Sequence, residues 1–527
     1  MGKADVELSA TMLISRAAGF RIFGYNALIL ALFAVAAYLQ ITVVLHNHDI
    51  AWLLIAASRL ADGGNYATDF FEVNPPLILF VYMPAVFASR LSGIDSYTAV
   101  VLLVLIYTGI SLAAAYRMAS SICPEISIGS RAFHLAVAAI LLFTPGYDFG
   151  QREHLIVIFA LPYLILMSAA QPGYGMRKTE VVAVVAWAAL GLFLKPTYIL
   201  LPVLIAITRS IEKRSPRALL SLDMVVFALL GVLYLVFVAI QFPEYFVVAG
   251  YAARVYSAFD GDSGAIALAT AVFVIGGCLP ALVSWRVVKD VRERKPVFLL
   301  ALGAVVGGCA ILLQNKGWSY HFLPTRIFGG IAAVMVILAM VRRTAAARDD
   351  RYIAIAFIVA LSALAVGTIV SGARSIAYMS LSAKLEEFGG QRVADLFEGR
   401  RVSTLSRHVP FGLPWIPQAG GEWASRFSCL WLLPGYSMLR NDESVSPKDV
   451  EAFAADLRRF MVEDFEHYRP EIVVVDMNLE AEIGFQALSF YLADARFVEI
   501  WKNYRYLESV NDMEIYVATD IATEVVR

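Results

Sequence analysis

The sequence predicts a polytopic α-helical membrane protein that ends in a small α/β domain outside the bilayer. Three observations carry this reading. Of 527 residues, 59% are apolar and 17% charged, against about 45–50% and about 25% in soluble domains, and the mean hydropathy is +0.67. Apolar windows of about 20 residues, the length of a bilayer-crossing helix, recur along residues 1–372. From 373 to 527 charges are frequent and apolar runs are short. A soluble globule this apolar would expose large sticky patches. Nucleic-acid binding is disfavoured as well, because 43 basic against 44 acidic residues leave no net positive field. Cys123, Cys278, Cys309 and Cys429 have no CxxC spacing, so neither a disulfide framework nor a zinc knuckle is indicated.

In chain order, candidate spans lie near 25–45, 96–117, 132–146, 154–171, 180–194, 196–208, 222–241, 265–285, 297–314, 327–341 and 352–372. Residues 1–24 carry Lys3, Arg16 and Arg21 without a cleavage-site pattern, so the first span reads as an anchor. Residues 76–91 are apolar but follow a Pro pair and contain Pro84. They fit either a twelfth span or a helix lying along the surface. The distribution of Lys and Arg decides, because inner loops collect positive charge. A surface helix puts 20 basic residues inside and 7 outside, whereas a span gives 9 and 18. Eleven spans follow, with the N-terminus cytoplasmic and the C-terminal domain outside. In that domain, 447–467 shows a helical stripe (Val450, Phe453, Ala454, Leu457, Phe460, Met461) and 469–478 reads as a buried strand. Alternation in 497–507 and 513–518 around Asn511-Asp512 predicts a hairpin.

This topology gathers the polar residues that are unusual for a membrane protein on one face: 46–77, 146–154, Lys195-Pro196, 242–264 and 315–326. Ionisable groups at membrane depth are functional candidates by default. The pattern Asp49…Gly63-Gly64…Tyr66…Asp69-Phe70-Phe71-Glu72…Asn74-Pro75-Pro76-Leu77 resembles the first outer loop of GT-C glycosyltransferases. The likeness is to the branch of protein mannosyltransferases and the lipid A aminoarabinose transferase, over roughly residues 20–330. It implies a polyprenyl-phosphate-linked sugar donor, inversion at the anomeric centre, and a lipid, glycan or protein acceptor. It also implies outer-surface loop helices at about 46–95, a bacterial inner membrane with a periplasmic site, and acidic residues at Asp49 and Asp148.

Each candidate has a plainer reading beside the functional one. Asp49 is either a general base for the acceptor hydroxyl or the cap of helix 50–61. Asp148 is either a second catalytic acid or a loop residue paired with Arg152. Glu153 and His154 open the next span, where an acid favours the helix N-terminus. Asp69 and Glu72 are either substrate-binding or turn residues. A leaving lipid phosphate needs positive charge, and the available cations are Lys195, Arg152, Lys316, Arg326 and, when protonated, His321. Lys195 and Lys316 could equally snorkel to the interface. Tyr66, Trp318 and Tyr320 suit sugar stacking or an interfacial belt. His46, His48, Asp49 and Asp148 leave a divalent metal possible, although no helical i, i+4 His pair supports one. The competing function is a carrier of lipid-linked sugar, which should place its polar groups at mid-membrane in two corresponding halves.

Overall fold

A computed structural model describes residues 24–122, 129–169, 177–344, 351–380 and 389–521. Lys3, Arg16, Arg21, Cys123 and Arg348 lie outside the described residues. Each apolar window falls on a helix: α1 (Gly24–Val43), α4 (Ser96–Ile122), α5 (Arg131–Phe143), α6 (Arg152–Ala169), α7 (Lys178–Leu192), α8 (Leu200–Glu212), α9 (Leu222–Gln241), α11 (Ser263–Val287), α12 (Val291–Gln314), α13 (Leu323–Thr344) and α14 (Arg351–Tyr378). Among the described residues, six are long and apolar enough to cross a bilayer by length and composition: α1, α4, α9, α11, α12 and Ser319–Arg342. Of the rest, α5, α6, α7 and α8 have 13, 18, 15 and 13 residues, whereas α14 has 28. A 3-10 turn at Pro196–Ile199 runs into α8, and together they reach about 28 Å at normal helical rises.

Three further helices lie outside the bundle. Helices α2 (His48–Ala61) and α3 (Leu77–Ser92) follow α1, and α10 (Pro243–Val255) follows α9. Helix α3 buries Ile78, Leu79, Val81, Tyr82, Ala85 and Val86 while Phe87 and Leu91 stay exposed. Its one apolar face packs on α2 and α4, as expected of a surface helix. Helix α6 is the opposite case. Leu155 to Leu166 are almost fully buried on every side, between α4, α7, α12 and α13, which is the position of a helix apolar all round. On the outside of the bundle, Leu229, Val232 and Leu235 of α9 and Leu268, Val272 and Ile275 of α11 are exposed apolar side chains. They suit a lipid environment, and the chain is a membrane protein.

The C-terminal part holds a five-stranded sheet of order β2-β1-β3-β5-β4, with β1 at Arg401–Leu405, β2 at Glu422–Trp423, β3 at Ile472–Asp476, β4 at Tyr504–Val510 and β5 at Met513–Ala518. Strand β1 runs parallel to β2 and β3; β5 is antiparallel to β3 and β4. The helix Pro447–Tyr468 starts on Ser446, which accepts a hydrogen bond from Asp449 N, and buries Phe453, Leu457, Phe460 and Phe465. The strand and the hairpin turn stand where the sequence places them. The first half of the expected alternation does not: Ala495–Trp501 is a helix. Asp494 caps it through Arg496 N and Phe497 N, and Phe497 stacks on Trp501 one turn on. Capping and that i, i+4 pair outweigh the period-2 pattern.

This domain docks on the segment between α1 and α3. Arg59 of α2 donates to Asp69 O, Ser425 O and Trp423 O. Phe71 N donates to Arg426 O at 2.7 Å, and Tyr468 OH to Asp69 O at 2.7 Å. Arg426 is buried against Asp464, Nε to Oδ1 2.5 Å.

Candidate active site

The N-terminus of α2 is capped by Asn47. Its Oδ1 accepts from Asp49 N at 3.0 Å and Ile50 N at 3.4 Å, so the orphan amides of the first turn are served without Asp49. The Asp49 carboxylate is thereby left for other partners: Gln151 Nε2 donates to its Oδ2 at 2.9 Å, and His48 Nε2 stands 3.6 Å from its Oδ1. The same Gln151 amide donates to Asn47 Oδ1, also at 2.9 Å.

Asp148 comes from a tight turn, Gly146–Asp148, between α5 and α6. The turn is pinned from three sides. Gln40, in a π-turn ending α1, donates to Gly146 O at 2.9 Å. Gly146 has φ +57°, and a Cβ there would stand 2.5 Å from Gly372 O of α14. Tyr147 N donates to Ser375 Oγ at 3.2 Å. Asp148 then accepts from Ser319 Oγ at 3.0 Å and Asn47 Nδ2 at 3.4 Å. Asn47 therefore ties both carboxylates to one frame.

A cavity of about 480 Å³ opens between these elements and the C-terminal domain. His48, Asp49, Trp52, Glu72, Asp148, Arg152, Tyr256, Trp318 and Tyr320 line it from the bundle side, and Arg407, His408, Ser428, Cys429 and Trp431 from the domain side. Its acids are not equivalent. Burial pushes Asp148 up to about 7, with nearby Asp49 and Glu153 adding to the shift against the Ser319 hydrogen bond. Burial also works on Asp49, but His48, Arg152, Gln151 and Lys195 together hold it below the usual carboxylate value. Glu72 is raised by burial, although Asn74 N donates to it at 2.6 Å and Asn74 Nδ2 and Trp52 Nε1 also hydrogen-bond it.

No protein-family model matches this chain, and no curated protein matches it. Solved structures do. The crystal structure of ArnT from Cupriavidus metallidurans bound to undecaprenyl phosphate is 16% identical, with TM-score 0.51 over 95% of this chain and 98% of that one. The apo form is 15% identical, with TM-score 0.54 over 96% and 99%. The chain has the ArnT fold, a GT-C fold.

Within the ArnT fold, the residues singled out from the sequence separate into three groups. Asp49, Asp148, Arg152, Glu72, Trp318 and Tyr320 share the cavity wall. Lys195, Glu153 and His321 form a buried polar cluster behind it: Lys195 Nζ is paired with Glu153 and donates to Gln314 Oε1 at 2.8 Å, and His321 Nε2 is 3.8 Å from Glu153. The remaining five are engaged elsewhere. Lys316 pairs with Asp260 and donates to Tyr256 O at 2.7 Å. Arg326 donates to Thr368 O on α14 at 3.3 Å. Tyr66 bonds Asn74 O inside an aromatic nest with Phe70, Phe242 and Tyr245. Asp69 accepts from Asn65 N at 2.6 Å and closes the turn 65–69. His154 Nδ1 accepts from Gly150 N, so its Nε2 carries the proton donated to Leu141 O at 2.8 Å; the ring staples the 150–154 corner.

The residues considered for a metal do not converge. His46 stacks on Tyr97 at 3.7 Å and lines a different cavity from His48, Asp49 and Asp148. Among the described residues no three His, Cys, Asp or Glu side chains are grouped as ligands. The donor set does not fit a divalent ion, and no step is routed through one.

Several residues of the site escape a sequence reading. Asn47 and Gln151, which hold the two aspartates, sit inside the segments that drew attention, and an Asn two residues before a helical acid is a recognisable N-cap signal. Arg407, His408, Ser428, Cys429 and Trp431 have no local signal, because only the docking of the C-terminal domain brings them to the cavity.

Proposed function

We propose that the protein is an inverting glycosyltransferase that moves a sugar from a polyprenyl-phosphate donor to a lipid, glycan or protein hydroxyl at the periplasmic face of a bacterial inner membrane. One observation carries the reading: a carboxylate freed from capping, Asp49, and a buried cation, Arg152, that makes no hydrogen bond or close ion pair among the described residues, face one cavity. Arg152 is 7% exposed, and its Nε lacks a hydrogen-bond partner. A buried guanidinium with open donors is costly unless something anionic completes it, and a lipid phosphate is such a partner. ArnT, whose fold the chain shares, has been crystallised with undecaprenyl phosphate.

In this reading the acceptor hydroxyl approaches Asp49, which takes its proton as the oxygen bonds to the anomeric carbon. The bond from that carbon to the phosphate oxygen breaks, and its electron pair leaves on the polyprenyl phosphate. Arg152 meets the charge that grows there, in a site shielded from water where such stabilisation is strongest. Trp318 and Tyr320 offer ring faces to the sugar. The domain side, through Arg407 to Pro410 and Ser428 to Trp431, closes the cavity above the acceptor.

Two measurements test the reading. Purified protein in liposomes should consume a polyprenyl-phosphate sugar, and envelope glycolipids or glycans should lose one sugar mass when the gene is deleted. Unchanged masses together with an untouched donor would sink it. The sidedness is tested with single cysteines in a cysteine-free background: a label added outside spheroplasts should reach Asp262→Cys at once and Lys213→Cys only after permeabilisation. The reverse pattern would put the cavity on the cytoplasmic side.

A further inference from the structure

Arg152 and Glu153 are consecutive at the start of α6, so their side chains leave the helix about 100° apart. Arg152 turns into the cavity, and Glu153 turns into the bundle, where it is 1% exposed. Glu153 therefore makes no close ion pair with Arg152 among the described residues, although its charge still acts on that guanidinium. It is held instead by Lys195, at the junction between α7 and the 3-10 turn before α8, whose amine also donates to Gln314 Oε1 at 2.8 Å. Glu153 Oε2 has no hydrogen-bond partner, so Lys195 is its main compensation, with the His321 ring at 3.8 Å. The Lys195 side chain does not line the cavity.

We propose that Lys195 is a positioning residue: by neutralising Glu153 it keeps the Arg152 guanidinium uncommitted and turned toward the donor phosphate. This rests on the glycosyltransferase reading. The physical argument is one of competition in a dry site. An uncompensated buried carboxylate attracts the nearest cation strongly. Without Lys195 that cation is Arg152, which would either swing to Glu153 or have its field at the phosphate cancelled by it. The Lys195–Glu153 pair removes this internal rival without occupying the site. A direct phosphate contact by Lys195 would predict something different, and the two are separable.

The test compares wild type, Lys195→Met and the double variant Lys195→Met/Glu153→Gln in liposomes, reading turnover with a polyprenyl-phosphate sugar and retention of undecaprenyl phosphate. Lys195→Met should lose about 10²-fold in turnover, the scale of removing one preorganised charge, and should retain the lipid phosphate poorly. The double variant carries no buried rival, so it should recover to within about tenfold of wild type, a strong non-additivity. Adding Arg152→Gln to the double variant should abolish the recovery, which a merely structural role for Lys195 would not explain. A double variant as inactive as Lys195→Met overturns the proposal and returns Lys195 to direct contact. If Lys195→Met alone fails to fold, the double variant decides by itself, activity within about tenfold of wild type supporting the proposal and its loss overturning it. A wild type that transfers no sugar sinks the glycosyltransferase reading itself, an outcome distinct from an active wild type with an unrecovered double variant.

Discussion

Helix α2 separates two cavities. His48, Asp49, Trp52 and Leu53 face the one described above, and Ala51, Leu54, Ile55 and Ser58 face another of about 930 Å³. The second is the larger, and it also carries charge: Arg90, Asp95, Asp395 and Glu398 line it. Three of its charges are settled, however. Arg90 makes a two-pronged pair with Asp62 at 2.9 and 2.7 Å, Asp95 accepts from Thr98 N at 2.8 Å, and Asp395 accepts from Gln391 at 2.7 Å. The first cavity holds a buried arginine with no hydrogen bond or close ion pair among the described residues and carboxylates whose affinities for protons are driven apart. Volume does not distinguish a site from a crevice; unsettled polar groups do.

The sharpest way to break this contrast is a matched pair of isosteric changes. Asp49→Asn on the first face should lower turnover at least about 10²-fold, the usual scale for losing a general base, with the protein still folded. Asp395→Asn on the second should leave turnover within about twofold, as surface changes away from special features do. Equal effects in a liposome transfer assay would mean that the two cavities are not functionally different.

A smaller effect is expected from the clamp that holds the C-terminal domain over the first cavity. Arg426 is 4% exposed and Asp464 2% exposed. Arg426→Met leaves the Asp464 charge buried and unpaired, which costs roughly 3–5 kcal/mol. It also loosens Phe71-Glu72, whose backbone is tied to Arg426 O. The domain should become protease-sensitive, and turnover should fall about tenfold through misplacement alone. A variant that resists proteolysis like wild type would show that the docking does not depend on this pair.

The two faces of α2 also show what a sequence can and cannot disclose. The helices of the bundle were legible because lipid demands long uniform apolar runs, and the one-sided apolar face of α3 accords with the surface helix that the charge bias predicts. Asp49, Asp148 and Arg152 were legible because ionisable groups are rare beside spans. Lys195 stood out as a cation at a helix junction, but nothing in Lys195-Pro196 shows that Glu153, 42 residues away, takes its amine. The Asp49 cap reading fails for a local reason, since Asn47 performs that task. The wall contributed by Arg407 and Ser428 was not legible at all, because docking between distant segments leaves no periodic trace in either.

The finest distinction lies within the first cavity, between its two aspartates. Burial raises Asp148 to about 7 from an ordinary 3.8, whereas Asp49 is held below its ordinary value. The signs of the two contributions to stability are therefore opposite. Below about pH 4 Asp148 is protonated in both folded and unfolded chains and contributes nothing. Between about 4 and 7 the unfolded chain releases this proton while the folded chain keeps it, so stability falls with rising pH and stays low above 7. An asparagine has no proton to keep, so Asp148→Asn should gain in melting temperature over wild type as pH rises from 4 to 7, and no further by pH 8. Asp49 runs the other way: its ionised form stabilises the fold above its ordinary value, and this is lost as pH falls through the depressed one. Asp49→Asn should consequently melt below wild type at pH 7 and approach it in acid. Melting curves in detergent from pH 8 down to well below pH 4 check both slopes. Parallel curves for wild type and Asp148→Asn would mean that Asp148 is an ordinary ionised carboxylate, and the division between the two acids would fall with it.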